Sequence, residues 1–146
     1  MSFEGKLFKL LNDNNLNKDE KLKSLGTIGD ILEYGNISRD EAIEEMNILI
    51  KHLVQQDDND IKEAILSIIL NAEDTRSIDK ELDLDPIVSN LKKFNDECIS
   101  YILSMLGYSG KEKYRSTIEQ FKKNPRLEED VEDALLELDF RIKNQN

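Results

Sequence analysis

The chain has 146 residues, 38% hydrophobic and 35% charged, and a net charge of −11, a balance that suits one soluble, helix-rich domain with a real core. The acidity argues against a nucleic-acid binder, which needs a basic footprint, and against adsorption to an anionic membrane surface. Two prolines and six glycines leave little punctuation for an all-β fold.

Caps and apolar stripes divide the chain into eight expected helices. The first, 3–12, sets Leu7, Leu10 and Leu11 together with Phe3 at its edge. Asn17 followed by Glu20 has capping-box spacing and opens 18–34, which Gly35 ends in a left-handed conformation. Ser38 and Glu41 repeat the box before 39–55, striped by Ala42, Ile43, Met46, Leu49, Ile50 and Leu53. Asp57 or Asp58 caps 59–71. The stretch 72–85, "AEDTRSIDKELDLD", is acidic and weakly periodic. It reads as a long connecting loop or as a loop holding one helical turn near Ile78–Leu82. Asp85 before Pro86 opens 86–94, Asn95 caps 96–107, and Gly107 is the stop. Ser109 with Glu112 boxes 110–123. Asn124 before Pro125 opens 126–143, striped by Val131, Ala134, Leu135, Leu138 and Ile142.

The even-numbered helices share a template. Ile61, Ala64, Ile65 and Ile68 match Cys98, Tyr101, Ile102 and Met105, which match Val131, Ala134, Leu135 and Leu138. Leu22, Leu25 and Ile28 fit it too. A two-helix unit repeating at roughly 35–45 residues points to an α-solenoid, in which stacked hairpins make one continuous core. The stretches "AIEEMNILIKHLVQQDDNDIKEAILSIIL" and "IVSNLKKFNDECISYILSMLGYSG" resemble the HEAT/armadillo-like helical repeats. That resemblance implies an all-α, right-handed α-solenoid of about four hairpins spanning 1–146 as a single domain. The Val-Arg pair that often begins the second helix of a HEAT unit reads Ile61-Lys62, Cys98-Ile99 and Val131-Glu132 here.

Signals for catalysis are poor. His52 is the only histidine, placed near a helix end, and reads as an exposed or last-turn residue rather than a ligand. Cys98 falls on a core position, reads as a small buried hydrophobe, and has no disulfide partner. "DDNDIKEAILSI" fails as a calcium loop because Ile61 takes the third ligand position and Lys62 replaces the glycine. "GYSGK" lacks the spacing and preceding strand of a phosphate loop. Gly26 and Gly29 in "LGTIGD" suggest close helix contact, and Glu44/Glu45 have no Glu-x-x-His partner for a di-metal site. The expectation is no enzyme, no metal and no cofactor. The start "MSFEGKLFKLL" shows no cleavable leader, which with the single cysteine leaves a reducing cytoplasm as the expectation, and abundant Asn, Ile and Lys suit an AT-rich bacterial genome.

Charge pattern remains. In the repeat register Asp60, Glu97 and Asp130 precede the first core position, and Asn59, Asp96 and Glu129 precede those. Stacking sets such acids in rows near the helix starts, where the macrodipole favours them by about 0.3–1 kcal/mol each. Glu132, Asp133 and Glu137 lie further along the last helix, and Asp133 and Glu137 are like-charged at i, i+4. The candidate partner-binding residues are therefore Asp57, Asp58, Asp60, Glu63, Asp96, Glu97, Glu129, Asp130, Glu132, Asp133 and Glu137. The chain also looks like the helical, repeat-like immunity proteins that accompany bacterial polymorphic toxins. That resemblance implies a non-catalytic protein that steers onto a basic toxin, such as a nuclease, and occludes it. The alternative is a general helical-repeat adaptor that holds a peptide or protein in its groove.

Overall fold

The computed structural model describes residues 1–145, and among them it is all-helical, with eight α-helices and no strand. The first four helices are α1 (Phe3–Asn12), α2 (Lys18–Tyr34), α3 (Arg39–Leu53) and α4 (Asn59–Arg76). Then come α5 (Asp85–Val88), α6 (Asp96–Tyr108), α7 (Arg115–Glu119) and α8 (Glu128–Lys143). Single 3-10 turns lie at Asp79–Glu81, Leu91–Lys93 and Glu112–Tyr114.

Side-chain caps set the starts of α2, α3, α4 and α6. Asn17 accepts from the Glu20 amide while Glu20 accepts from the Asn17 amide, a reciprocal box. Ser38 accepts from Glu41, Asp58 from Asp60 and Ile61, and Asn95 from Cys98. Each bond satisfies a donor that the helix leaves free.

Several expected boundaries fall elsewhere. α4 runs to Arg76, five residues past the expected stop at 71, and ends on Ser77 in the left-handed region (φ 55). The stretch 72–85 thus begins with one more turn of α4 and then holds the expected helical turn, a 3-10 turn at Asp79–Glu81 pinned by buried Ile78, Leu82 and Leu84. The expected helix 86–94 splits into α5 and a 3-10 turn, and 110–123 into a 3-10 turn and the short α7. Asp85 is inside α5 rather than capping it, and its carboxylate accepts from the Tyr114 hydroxyl at 2.7 Å. Ser109 opens no α-helix at 110; it is buried, donates to the Leu106 carbonyl at 2.6 Å and accepts from the Lys111 amide at 3.2 Å. Asn124 does bond the Arg126 amide, but α8 starts only at Glu128. Gly35 is extended (φ −72) rather than left-handed.

The four long even-numbered helices run the same way, side by side. Lys18 at the start of α2 reaches Asp58 and Asp60 at the start of α4, at 3.3 and 2.7 Å. Lys62 in the first turn of α4 donates to the Lys93 carbonyl just ahead of α6. Asn124 and Arg126, just ahead of α8, reach Asp96 in the first turn of α6. At the opposite end Arg76 of α4 donates to the carbonyls of Leu32 and Gly35 at the end of α2. There Arg141 of α8 lies over the Tyr108 ring of α6, 5.0 Å from its centroid. So α2 packs on α4, α4 on α6, and α6 on α8. α3 packs on α4 and touches α1 and α5, while α7 lies on α8.

One apolar core joins all of these helices, including Leu7, Leu25, Met46, Ile65, Ile102 and Leu138. Two glycines set its spacing. A Cβ on Gly29 would sit 2.9 Å from the Ile68 side chain of α4, so the expected close helix contact holds at Gly29, whereas Gly26 faces open space. Gly107, expected as a stop, lies inside α6, and a Cβ there would meet the Ala134 carbonyl oxygen at 2.8 Å. Its role is to let the backbones of α6 and α8 approach.

Two predictions follow from this packing. Ile65→Asp places an unpaired charge in the core, so circular dichroism should show loss of the folded helix signal; a fully helical variant would remove Ile65 from the core. Gly107→Ala should destabilise the fold by roughly 1–3 kcal/mol, because the obstructing atoms are backbone. Gly26→Ala should instead stabilise it by about 0.5–1 kcal/mol through helix propensity. Thermal melts showing both alanines with the same sign of effect would contradict the α6–α8 contact.

Candidate functional site

The expected acids fall into two groups by what surrounds them. The starts of α4 and α6 do share an edge, but their carboxylates are partly used inside the fold. Asp58 and Asp60 hold Lys18 between them. Asp96 accepts from Asn124 at 3.2 Å and has Arg126 at 3.9 Å. Glu137 accepts from Arg141 at 3.0 Å, an i, i+4 pair, so its repulsion of Asp133 has a local offset. Asp57, Glu63, Glu97, Glu129, Asp130, Glu132 and Asp133 form no ion pair among the described residues. Of these, Glu129, Glu132 and Asp133 lie exposed on α8.

The same face of α8 carries two large apolar side chains. Leu136 is 70% exposed and Phe140 is 60% exposed, at i, i+4. Asp139 beside them is tied back to α7 by Arg115, which also holds Glu112. Among the described residues α8 packs on α6 and α7 and leaves this face uncovered. The exposed apolar pair and the unpaired acids thus form one continuous patch on α8.

At the end of the row opposite the acid edge is a polar cleft of about 290 Å³, lined in part by Asp74, Asp79, Tyr108, Arg141 and Gln145. Asp79 is buried, and one of its oxygens accepts from Arg141 at 2.9 Å while the other has no partner. Glu73 is fully buried and neither carboxylate oxygen has a hydrogen bond. Burial, then the charges of Asp79 and Asp74, push its carboxyl well above the usual range, against the smaller pull of Arg141. Burial likewise raises Asp79, with Arg141 opposing. Burial thus favours the neutral form of Glu73, which sits beside the Asp79–Arg141 ion pair. Sequence reasoning missed this cluster. Leu66, Ile69 and Glu73 share one buried face, but ending the helix at 71 left Glu73 in a loop.

The two residues best suited to chemistry are structural. His52 lies in the last turn of α3, one of its two expected placements, but is buried, and its Nε2 lies 2.8 Å from the Glu4 carboxylate, tying α3 to α1. Cys98 is buried as expected, and burial pushes its thiol up to about 11, which keeps it protonated and a poor nucleophile. Among the described residues no three His, Cys, Asp or Glu side chains converge as a metal site would require.

Glu73 generates a pH prediction. A carboxyl whose folded value is raised contributes stability that is fully present below its unfolded value, near 4.5, and is lost as pH rises through the folded value. Glu73→Gln removes that loss. The variant should melt higher than the parent at neutral and alkaline pH, with the difference shrinking toward pH 4.5. A difference that is constant with pH would show that Glu73 ionises as readily folded as unfolded. No protein-family model, curated protein or solved structure matches this chain, so its reading rests on these surfaces.

Proposed function

We propose that the chain is a non-catalytic, protein-binding α-solenoid of HEAT-like hairpins, acting in the bacterial cytoplasm as an immunity protein for a basic toxin. The carrying observation is the exposed face of α8, where Glu129, Glu132 and Asp133 have no cation partner and border Leu136 and Phe140. The net charge of −11 attracts a basic domain over distance, and the apolar pair gives the contact its short-range part. Occlusion needs no catalytic residue: an acidic surface lying over a phosphate-binding cleft excludes the substrate by charge and by bulk. A toxin nuclease is the partner chemistry that fits best, because its active cleft is basic. The second reading, an adaptor that holds a peptide, is favoured by an apolar hollow between α1 and α2.

The test begins with the genes beside this one. Co-expression with a neighbouring basic toxin domain should relieve the growth arrest that the toxin causes alone. Association of the purified pair should slow as salt rises, because screening shortens the reach of the field. Glu132→Lys with Asp133→Lys should slow association further and lose protection, with an unchanged helical spectrum. Association indifferent to both salt and these substitutions would reduce the α8 acids to a solvated face.

A further inference from the structure

Two adjoining hollows, about 310 and 220 Å³, run between α1, α2 and α3 and share Phe3 and Glu45. The larger has an apolar floor of Phe3, Leu7, Ile28 and Ile31. Ile31 is 49% exposed, and Tyr34 beyond it is 75% exposed.

The α3 wall is acidic. Glu41, Glu44 and Glu45 stand at i, i+3 and i+4 on one face, and none forms an ion pair among the described residues. The nearby cations are used elsewhere. Lys51 and His52 both hold Glu4 at 2.8 Å, and Arg76 is spent on the carbonyls that end α2. Lys6 lines the larger hollow without pairing. Partial burial, then Glu41 and Glu44, raise the Glu45 carboxyl. Glu41 lies in the first turn of α3, where the helix dipole favours an acid, but Glu44 and Glu45 lie past it. Their mutual repulsion is only partly offset, by the charge of Arg76 acting on Glu45, and no ion pair relieves it among the described residues.

We propose that this groove binds a basic amphipathic protein segment, seating an apolar side chain between α1 and α2 and lysine or arginine against Glu41, Glu44 and Glu45. Charge selects the occupant. A second copy of a chain with net charge −11 would bring acid to an acidic wall. A basic segment relieves the repulsion on α3 while its apolar anchor removes Phe3 and Ile31 from water. Helix-in-groove recognition uses this combination of anchors and flanking charge. The inference rests on the reading of the chain as a protein-binding module, but it uses the end of the helix row away from α8.

The probe is a labelled helical peptide of leucine and lysine at amphipathic spacing, followed by fluorescence anisotropy, with a scrambled peptide of identical composition as control. The parent should bind the amphipathic peptide more tightly than the scrambled one. Ile31→Ser, and separately Glu44→Lys with Glu45→Lys, should each weaken binding by about tenfold or more. Glu132→Lys with Asp133→Lys should leave it within about twofold, set by long-range charge alone. Ile31 is half-exposed, so its serine variant keeps the fold and decides the matter if the double lysine variant unfolds. Equal binding of the two peptides, or indifference to Ile31→Ser, overturns the groove. Loss confined to the α8 substitutions also overturns it, while leaving the protein-binding reading intact. A parent dimer that Ile31→Ser abolishes would make the occupant a second copy, and overturns it as well.

Discussion

Placing α2, α4, α6 and α8 parallel sets like ends of four helix dipoles side by side. The starts bring partial positive charge together along one edge, and the ends bring partial negative charge together along the other. The side chains at each edge offset this. Asp19, Glu20, Asp60, Asp96, Glu97, Glu128, Glu129 and Asp130 all fall in first turns of the row. Arg76 and Arg141 serve the opposite edge, one on the last carbonyls of α2 and the other between Asp79 and Tyr108. Part of the acidity of the chain is therefore complementary to its packing, which separates these acids from those lying elsewhere on the surface.

That separation changes which residues matter. Asp58, Asp60, Asp96 and Glu137 are each engaged with a cation or an amide of the fold. Glu132 and Asp133 on α8, and Glu44 and Glu45 on α3, lie past the first turn and are engaged with nothing among the described residues. Both pairs border exposed apolar side chains: Leu136 and Phe140 in one case, Ile31 in the other. Net repulsion next to unburied apolar surface costs stability on both counts, and a basic partner with an apolar anchor relieves both. The buried Glu73 is a different case. Burial shifts its carboxyl toward the neutral form, which costs less to bury than a carboxylate without a cation.

The long helices were legible because their signals are local. Asn17, Ser38, Asp58 and Asn95 each carry their cap within three residues, and the apolar stripes that follow are unbroken. The rest depends on contacts distant in sequence. Gly107 looks like a helix stop by type, but it is the only residue small enough to meet Ala134 across the α6–α8 contact. Ser109 has cap spacing, yet burial turns its hydroxyl back to Leu106. The acidic stretch after residue 71 looks like a loop because its apolar residues are sparse, and Ile78, Leu82 and Leu84 anchor it only once α4 is extended. Of the candidate site, the acid rows could be read from register, but their pairing with Lys18, Arg126 and Arg141 could not. The α1–α3 groove joins residues more than thirty positions apart, so no single stretch of sequence announces it.

The parallel row is tested most directly by distances between spin labels on cysteines introduced at exposed positions. Labels at Asp19 and Asn59 mark the starts of α2 and α4, and Thr75 marks the end of α4. A helix of that length spans about 27 Å. Pulsed electron resonance should give an Asp19–Asn59 distance much shorter than Asp19–Thr75, and the steps from Asn59 to Glu97 and from Glu97 to Glu129 should be short as well. An Asp19–Thr75 distance shorter than Asp19–Asn59 would make α2 and α4 antiparallel and remove the dipole alignment from which the acid edge follows.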